Sequence, residues 1–455
     1  MRGAARRGIT LMEVLISMGV LSVGVLGAAS LLPMATYFQN ETTKYDRGGA
    51  LAQQAVHDLQ IRNYLSPRRW IFLDPANPNV ASPVGIVGLA GSGSYTPLSA
   101  FVLDPLGFSY VASQTPAVAG FPCYFPAFPN QGATPPGGGP AIYRAGVTAN
   151  EYWPAAATEP VATPIIMSFA VADRFMRSND DVLFETDRAS LLAQNRNNID
   201  LRPTSITSTG INAPSAYAPN FAGDFSWLAT VSRVPSDMVN GPAIAASLHR
   251  FQVSVVVLQK RDLTLWTGAL TDEKPPSERQ VYAMFTQYAG QSGNNLQVAS
   301  PFYGGGGLQL YVYESSATPA LGQPTRHWLD GIKPNTYLML AGNFQDQITA
   351  KVYPQLAWYR ILNVDDGPLQ DSANSSRWYR NVTVSGGDWP GMWAVGAASQ
   401  LWYGADPGAP NAMMPYATSA AANPLQAPTV FCTLMDDAIA EFDQTITLDY
   451  SLVRE

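Results

Sequence analysis

Residues Arg6 to Asn40 read RRGITLMEVLISMGVLSVGVLGAASLLPMATYFQN, and from Val14 to Asn40 there is no charged residue. At about 1.5 Å of rise per residue, a helix of that length crosses a hydrocarbon core about 30 Å thick with some to spare. A secretory signal peptide has a shorter apolar core, about 7 to 15 residues, and is removed after it at a small-x-small site. The stretch therefore reads as a retained membrane helix. Glu13 is its anomaly. A carboxylate at the centre of a membrane helix costs about 2.5 to 3.5 kcal/mol, and less near an end, so its presence asks for a partner.

The residues before Glu13 suggest one. Gly8, Ile9, Thr10, Leu11, Met12 and Glu13 follow the basic leader MRGAARRG, and the whole resembles the prepilin processing site of type IV pilins and type II secretion pseudopilins. In that family a short basic leader ends in Gly, an apolar residue follows, and Glu is fifth after the cut. The resemblance implies cleavage between Gly8 and Ile9 by a prepilin peptidase/N-methyltransferase of the membrane, with N-methylation of Ile9. The apolar helix stays on the protein. Arg2, Arg6 and Arg7 keep the leader cytoplasmic by the positive-inside bias, so the rest of the chain stands outside the inner membrane, on the periplasmic side.

Cleavage would place a new amine four residues before Glu13, and a carboxylate in the first turn of a helix is favoured by the macrodipole. In assembled family members the Glu of one subunit is taken to neutralise the amine of its neighbour. Glu13 is then an assembly residue: a buried ion pair is weak evidence of stability but can set register. Two departures stand out, since Ile9 occupies the place of the usual Phe and Pro33 lies a few residues beyond the usual proline. The run Glu13, Val14, Leu15 with Gly24, Leu26 and Gly27 is most similar to minor pilins of the PilV type. The glycines also fit plain close packing among small residues in a membrane. A twin-arginine reading of Arg6 and Arg7 is disfavoured by the acid so soon after the pair.

A chain of 455 residues suffices for one large or two ordinary domains. Its formal charge of -7 becomes -10 once a leader with three Arg and no acid is removed, and it has only five Lys. Such an exterior argues against nucleic-acid binding, which rests on phosphate contacts from Lys and Arg. Gly and Pro make up about 16% of the chain, from 38 and 36 residues. That is above the average of about 12% and below the roughly 25 to 30% of disordered chains. Cys123 and Cys432 are the only cysteines. Outside the membrane they would meet an oxidising compartment, where a bridge between them and two buried free thiols are both open.

Beyond Pro33 the helical pattern turns amphipathic, with Ala52, Val56 and Leu59 at i, i+4 and i+7. Ser66 and Pro67 are expected to end it, because a residue before proline avoids helical geometry. The layout follows: a leader over 1–8, a helix over 9–65 that is membrane-spanning to 40 and amphipathic over 41–65, a loop-rich part over 66–220, and a β-rich head over 221–455. Residues 116–140 hold twelve Gly or Pro in twenty-five positions, which forbids a persistent helix or central strand. A short helix is expected over Phe169 to Arg177.

Strand patterns follow at Ser226 to Val231, Phe251 to Leu258, Leu308 to Tyr313, Tyr337 to Leu340 and Gln444 to Leu448. The triplet WYR occurs at Trp358 to Arg360 and again at Trp378 to Arg380. Strand alternation sets Trp358, Arg360 and Leu362 against Tyr359 and Ile361, and Trp378, Arg380 and Val382 against Tyr379. These runs read as a sheet whose arginine stems cover aromatic surface, with a carbohydrate platform as the rival. The fold class is α+β: a long N-terminal helix and a large, mainly antiparallel β head.

Catalytic signals are sparse. His57, His249 and His327 are isolated, without a second ligand at metal spacing. Gly304 to Gly307 are followed by an aromatic strand rather than a Lys and Ser/Thr pair, and read as a turn. No GxSxG marks a serine nucleophile. No cofactor is implied. Asp180–Asp181, Asp365–Asp366 and Asp436–Asp437 would suit calcium, as some pseudopilins bind it, although adjacent loop carboxylates are usually just solvated. The chain reads as a structural subunit, not an enzyme, with other pilin or pseudopilin subunits and membrane lipid as partners. An adhesin head on the same stem, or a membrane-anchored hydrolase, are the alternatives.

Overall fold

The structure, a computed structural model, describes residues 11–66, 69–73, 83–85, 100–112, 125–126, 142–148, 165, 167–176, 225–233, 248–261, 277–285, 304–314, 325–345, 352–372, 375–387, 389, 402–406, 409–415 and 429–449. It confirms an α+β chain with one long apolar N-terminal helix and a mostly β remainder. Helix α1 runs from Leu11 to Ile61, 51 residues and roughly 75 Å at the usual rise. Its end comes earlier than Pro67 would dictate. Asn63 adopts φ 56, Tyr64 N–H donates to Leu59 C=O at 2.9 Å and Asn63 N–H to Gln60 C=O at 3.1 Å. That is a Schellman cap, with a left-handed Asn satisfying the last carbonyls.

Two bodies of strand follow. The first is a seven-stranded sheet of β1 (Trp70–Leu73), β2 (Pro83–Gly85), β3 (Ala100–Leu103), β4 (Tyr143–Val147), β5 (Phe225–Arg233), β6 (Leu248–Gln259) and β16 (Ala438–Asp449). Its order is β16-β6-β5-β3-β4-β1-β2, antiparallel except for β3 with β4. Strands from both sides of residue 220 thus share one sheet. Helices α2 (Pro105–Ala112) and α3 (Phe169–Met176) join α1 on one face.

The second body is closed. Strands β7 (Glu278–Phe285), β8 (Gly305–Tyr313), β9 (Tyr337–Gln345), β10 (Val352–Val364), β12 (Arg377–Gly386) and β15 (Thr429–Met435) pair in the ring β10-β12-β8-β7-β15-β9, and β9 pairs back to β10. The hairpin of β13 (Trp402–Asp406) and β14 (Ala409–Pro415) extends from β9, and β11 (Leu369–Gln370) pairs with β12. Every strand of the ring sends alternate side chains inward, among them Val281, Leu310, Leu340, Tyr359, Val382 and Cys432, so the interior is packed rather than open. Trp328 and Leu329, on the 3-10 turn Arg326–Leu329, belong to the same cluster and close one end. Arg279, 0% exposed, holds this plug through Nε to Trp328 C=O at 2.6 Å and Nη2 to Asp330 C=O at 3.0 Å.

The barrel's outer wall lies on the sheet face opposite α1. Val256 and Leu258 of β6 meet Met339, Leu356, Trp358 and Phe431 in one core, while Val253, Val255 and Val257 face the helices. A strand covered on both faces reads as a continuous apolar run, which explains VVV at Val255 to Val257. The two WYR triplets alternate as expected. Tyr359 and Ile361 enter the barrel, and Trp358 faces the sheet, where its Nε1 donates to Thr230 Oγ1 at 3.0 Å. A register shift between Ile361 and Asn363 then interrupts the pattern. Of the two WYR arginines, Arg360 lies over an aromatic ring, 5.8 Å from the Tyr45 centroid, whereas Arg380 donates to the Asp365 and Leu329 carbonyls; the guanidiniums over Tyr311 and Trp378 are those of Arg377 and Arg326.

The reading of Gly304 to Gly307 as a turn needs correction, because Gly305 already opens β8. At φ +110, a Cβ on Gly305 would come within 2.2 Å of the Val384 carbonyl oxygen on β12. The glycine is demanded by the approach of one strand to the next as well as by its backbone angle. Gly305→Ala combines left-handed strain with overpacking and is expected to destabilise by roughly 2 to 5 kcal/mol. A thermal melt of the full chain in detergent checks this; an unchanged midpoint would refute it.

Candidate functional site: the uncovered half of the N-terminal helix

Helix α1 has two halves of opposite surroundings. In the second, Ala52, Ala55, Val56 and Leu59 are buried against the sheet, and a Cβ on Gly48 would sit 3.0 Å from both Ala440 Cβ and Ile439 Cδ1. Among the described residues, the first half touches nothing of the kind. Leu11 is 81% exposed, Leu21 67% and Leu32 65%, and the most apolar stretch of the helix has no buried residue. This is the one helix among the described residues long and apolar enough to cross a membrane.

Local chemistry suits an apolar surrounding. Ser17 donates to Val14 C=O at 2.9 Å, Ser22 to Met18 C=O at 2.7 Å, Ser30 to Gly27 C=O at 2.7 Å and Thr36 to Pro33 C=O at 2.9 Å. Each hydroxyl is thereby satisfied within the helix, which lowers the cost of taking it out of water. The only charge on this surface is Glu13, in the first turn, where the macrodipole favours a carboxylate. Beyond the helix's own backbone, a Cβ on Gly19, Gly24 or Gly27 would meet nothing within 4 Å, so packing among the described residues does not account for these glycines.

Where the helix meets the head, Glu41 accepts from the Tyr45 hydroxyl at 3.1 Å and lies 3.5 Å from Lys44 Nζ, while the Arg360 guanidinium of β10 sits 5.8 Å from the Tyr45 ring centroid. Burial, then the Glu41 carboxylate, pushes the Tyr45 hydroxyl up to about 12. The first charges after the apolar run therefore coincide with the first contact between helix and barrel.

No family model, no curated protein and no solved structure matches this chain.

Of the residues expected to act, Glu13 stands in the described helix, whereas Gly8, Ile9 and Cys123 lie outside the described residues. Cys432 is a free thiol, 0% exposed inside the barrel, and burial pushes its ionisation well above the usual range. His57 is exposed on α1, and His327 Nδ1 lies 2.9 Å from Asp330 Oδ2. Among the described residues there is no group of three or more His, Cys, Asp or Glu placed to hold a metal. Asp436 is already engaged by Arg279 Nη1 at 2.6 Å, and Asp180 and Asp181 lie outside the described residues.

Sequence reading missed a buried charge cluster. Asp104 after β3, Arg144 on β4, Arg261 after β6 and Glu278 at the start of β7 come together with side chains at most 5% exposed. Arg144 bridges Asp104 and Glu278, and Arg261 grips both oxygens of Asp104 at 2.8 and 2.6 Å. Asp104 Oδ1 also accepts Gly107 N–H at 3.0 Å, capping α2. Burial alone would raise the Asp104 carboxyl, but the Arg261 and Arg144 guanidiniums reverse that and hold it well below the usual carboxylate range. The cluster joins the sheet to the barrel, since Glu278 belongs to the barrel and the other three residues do not.

Proposed function

We propose that this chain is a pilin-like structural subunit: cut between Gly8 and Ile9, methylated at Ile9, and inserted through α1 into a type IV pilus or a type II secretion-like pseudopilus. The observation that carries the reading is the division of α1. Its second half is fixed in the head, and its first half offers a long uncovered apolar surface with one carboxylate in the first turn. An anchor alone requires neither Glu13 nor the glycines on that surface, whereas a bundle of such helices uses both, the carboxylate for a neighbour's amine and the glycines for close approach.

In this reading the head is displayed outside the inner membrane, and its size favours a minor subunit, because a bulky head is hard to repeat at each helical step. The role is mechanical rather than catalytic, and prepilin peptidase and fellow subunits are the partners. Replacing Gly8 tests the reading. Gly8→Arg is expected to stay uncut in the membrane and to be missing from sheared filament fractions, read by immunoblot of both fractions. A variant that is processed and incorporated like wild type would overturn it.

A further inference from the structure

Glu441 and Asp443 lie two residues apart on β16 and so share one face of the strand. That face turns toward the barrel: Glu441 is level with Val256 of the sheet–barrel core, whereas Ala440 and Phe442 belong to the core beneath the helices. Oε1 of Glu441 is buried without a hydrogen-bond partner, and the next side chain along its face is the carboxyl of Asp443. Asp443 Oδ2 accepts Gln252 Nε2–H at 3.0 Å.

Two neighbouring carboxyls on one face repel each other when both are ionised, and burial of one adds to that cost, so one of them is favoured as the neutral acid. Asp443 is exposed and receives an amide N–H, which suits the ionised form. Glu441, with an oxygen shut away from water and from any donor, suits the acid. The groups facing the pair are Tyr337 from β9 and, beside Tyr337, Arg360 from β10. Arg360 is itself engaged, donating to Asn335 Oδ1 at 2.9 Å and lying over Tyr45 of α1.

We propose that Glu441 and Asp443 form a proton-sharing latch, in which one held proton lets β16 seat against the barrel and its loss sets two negative charges in the seam. Burial first, then the neighbouring Asp443 carboxyl, push the Glu441 carboxyl up to about 9. A carboxyl raised in the folded state contributes its stability in full below the unfolded value near 4.5, and loses it as pH rises toward about 9. Over that window the unfolding constant should climb by about tenfold per pH unit on account of this one group.

The test uses the full chain in detergent, as wild type, Glu441→Gln and Asp443→Asn. Infrared titration should show a protonated carboxyl band in wild type that disappears near pH 9 and is missing in Glu441→Gln. Denaturation series across the same pH range should show the wild-type unfolding constant rising more steeply than that of Glu441→Gln, with Asp443→Asn intermediate because Glu441 there loses the neighbouring charge. Parallel pH slopes for all three proteins, or no titrating band that depends on Glu441, would overturn the latch.

Discussion

Glu13→Ala is expected to be cut after Gly8 and inserted into the membrane like wild type, yet to be missing from filaments. Removing a carboxylate makes the helix more apolar by as much as about 3 kcal/mol, so insertion gains, and the peptidase reads mainly Gly8. Assembly loses instead. Stripping one partner from a buried ion pair leaves an uncompensated charge at about 3 to 5 kcal/mol, which is a hundredfold or greater loss of incorporation at about 1.4 kcal/mol per tenfold. Glu13→Gln should behave the same way, because the charge is what the amine of Ile9 in a neighbour requires. The measurement is the ratio of protein in sheared filament fractions to protein in membranes. Equal ratios for wild type and both variants would reduce Glu13 to a tolerated interfacial charge.

The second large effect is on folding. Arg144 is 1% exposed and bridges Asp104 of the sheet side to Glu278 of the barrel, so Arg144→Met takes the closest cation from a buried carboxylate, Arg261 Nη2 standing farther off at 3.6 Å from Glu278 Oε2. A loss of about 3 to 5 kcal/mol is expected. Replacing all four charges with apolar residues of similar volume is expected to cost much less, because desolvation of the ions is then removed together with their attraction. Asp104 adds an acid dependence of known sign. Its carboxyl is depressed in the folded state, so the stability it contributes is present above its ordinary value of 3.8 and is lost as pH falls below it. Urea titrations of the single and quadruple variants at neutral and acidic pH separate these effects. A neutral Arg144→Met would refute the bridge between the two bodies.

The helix was legible because its signal is local: a long charge-free run, then Ala52, Val56 and Leu59 on one stripe, all three of which are buried. Strands β5, β6, β8, β9, β10, β12 and β16 announced themselves by β-branched and aromatic runs. Strands β1, β3 and β4 did not, since stretches such as Ala100–Leu103 are too short to show a period beside Pro- and Gly-rich neighbours. Barrel closure was illegible for another reason. It rests on partners far apart in the chain, such as Cys432 opposite Val281, and on β9 pairing with both β15 and β10. Alternation within one strand says which side chains share a face, but not that six strands meet around it. The helix end was misplaced because a left-handed Asn63 terminates α1 before Pro67 can act. Glu13 stood out in the sequence as a lone acid in an apolar run, whereas Asp104, Arg144, Arg261 and Glu278 come from four separate segments and carry no motif at all.

The most direct measurement is the mass of the N-terminal peptide of the protein taken from its own membranes. The pilin-like account predicts a peptide that begins at Ile9 with a methylated amine and lacks the first eight residues of the sequence. An intact terminus at Met1 in normally growing cells would contradict the pilin-like reading outright.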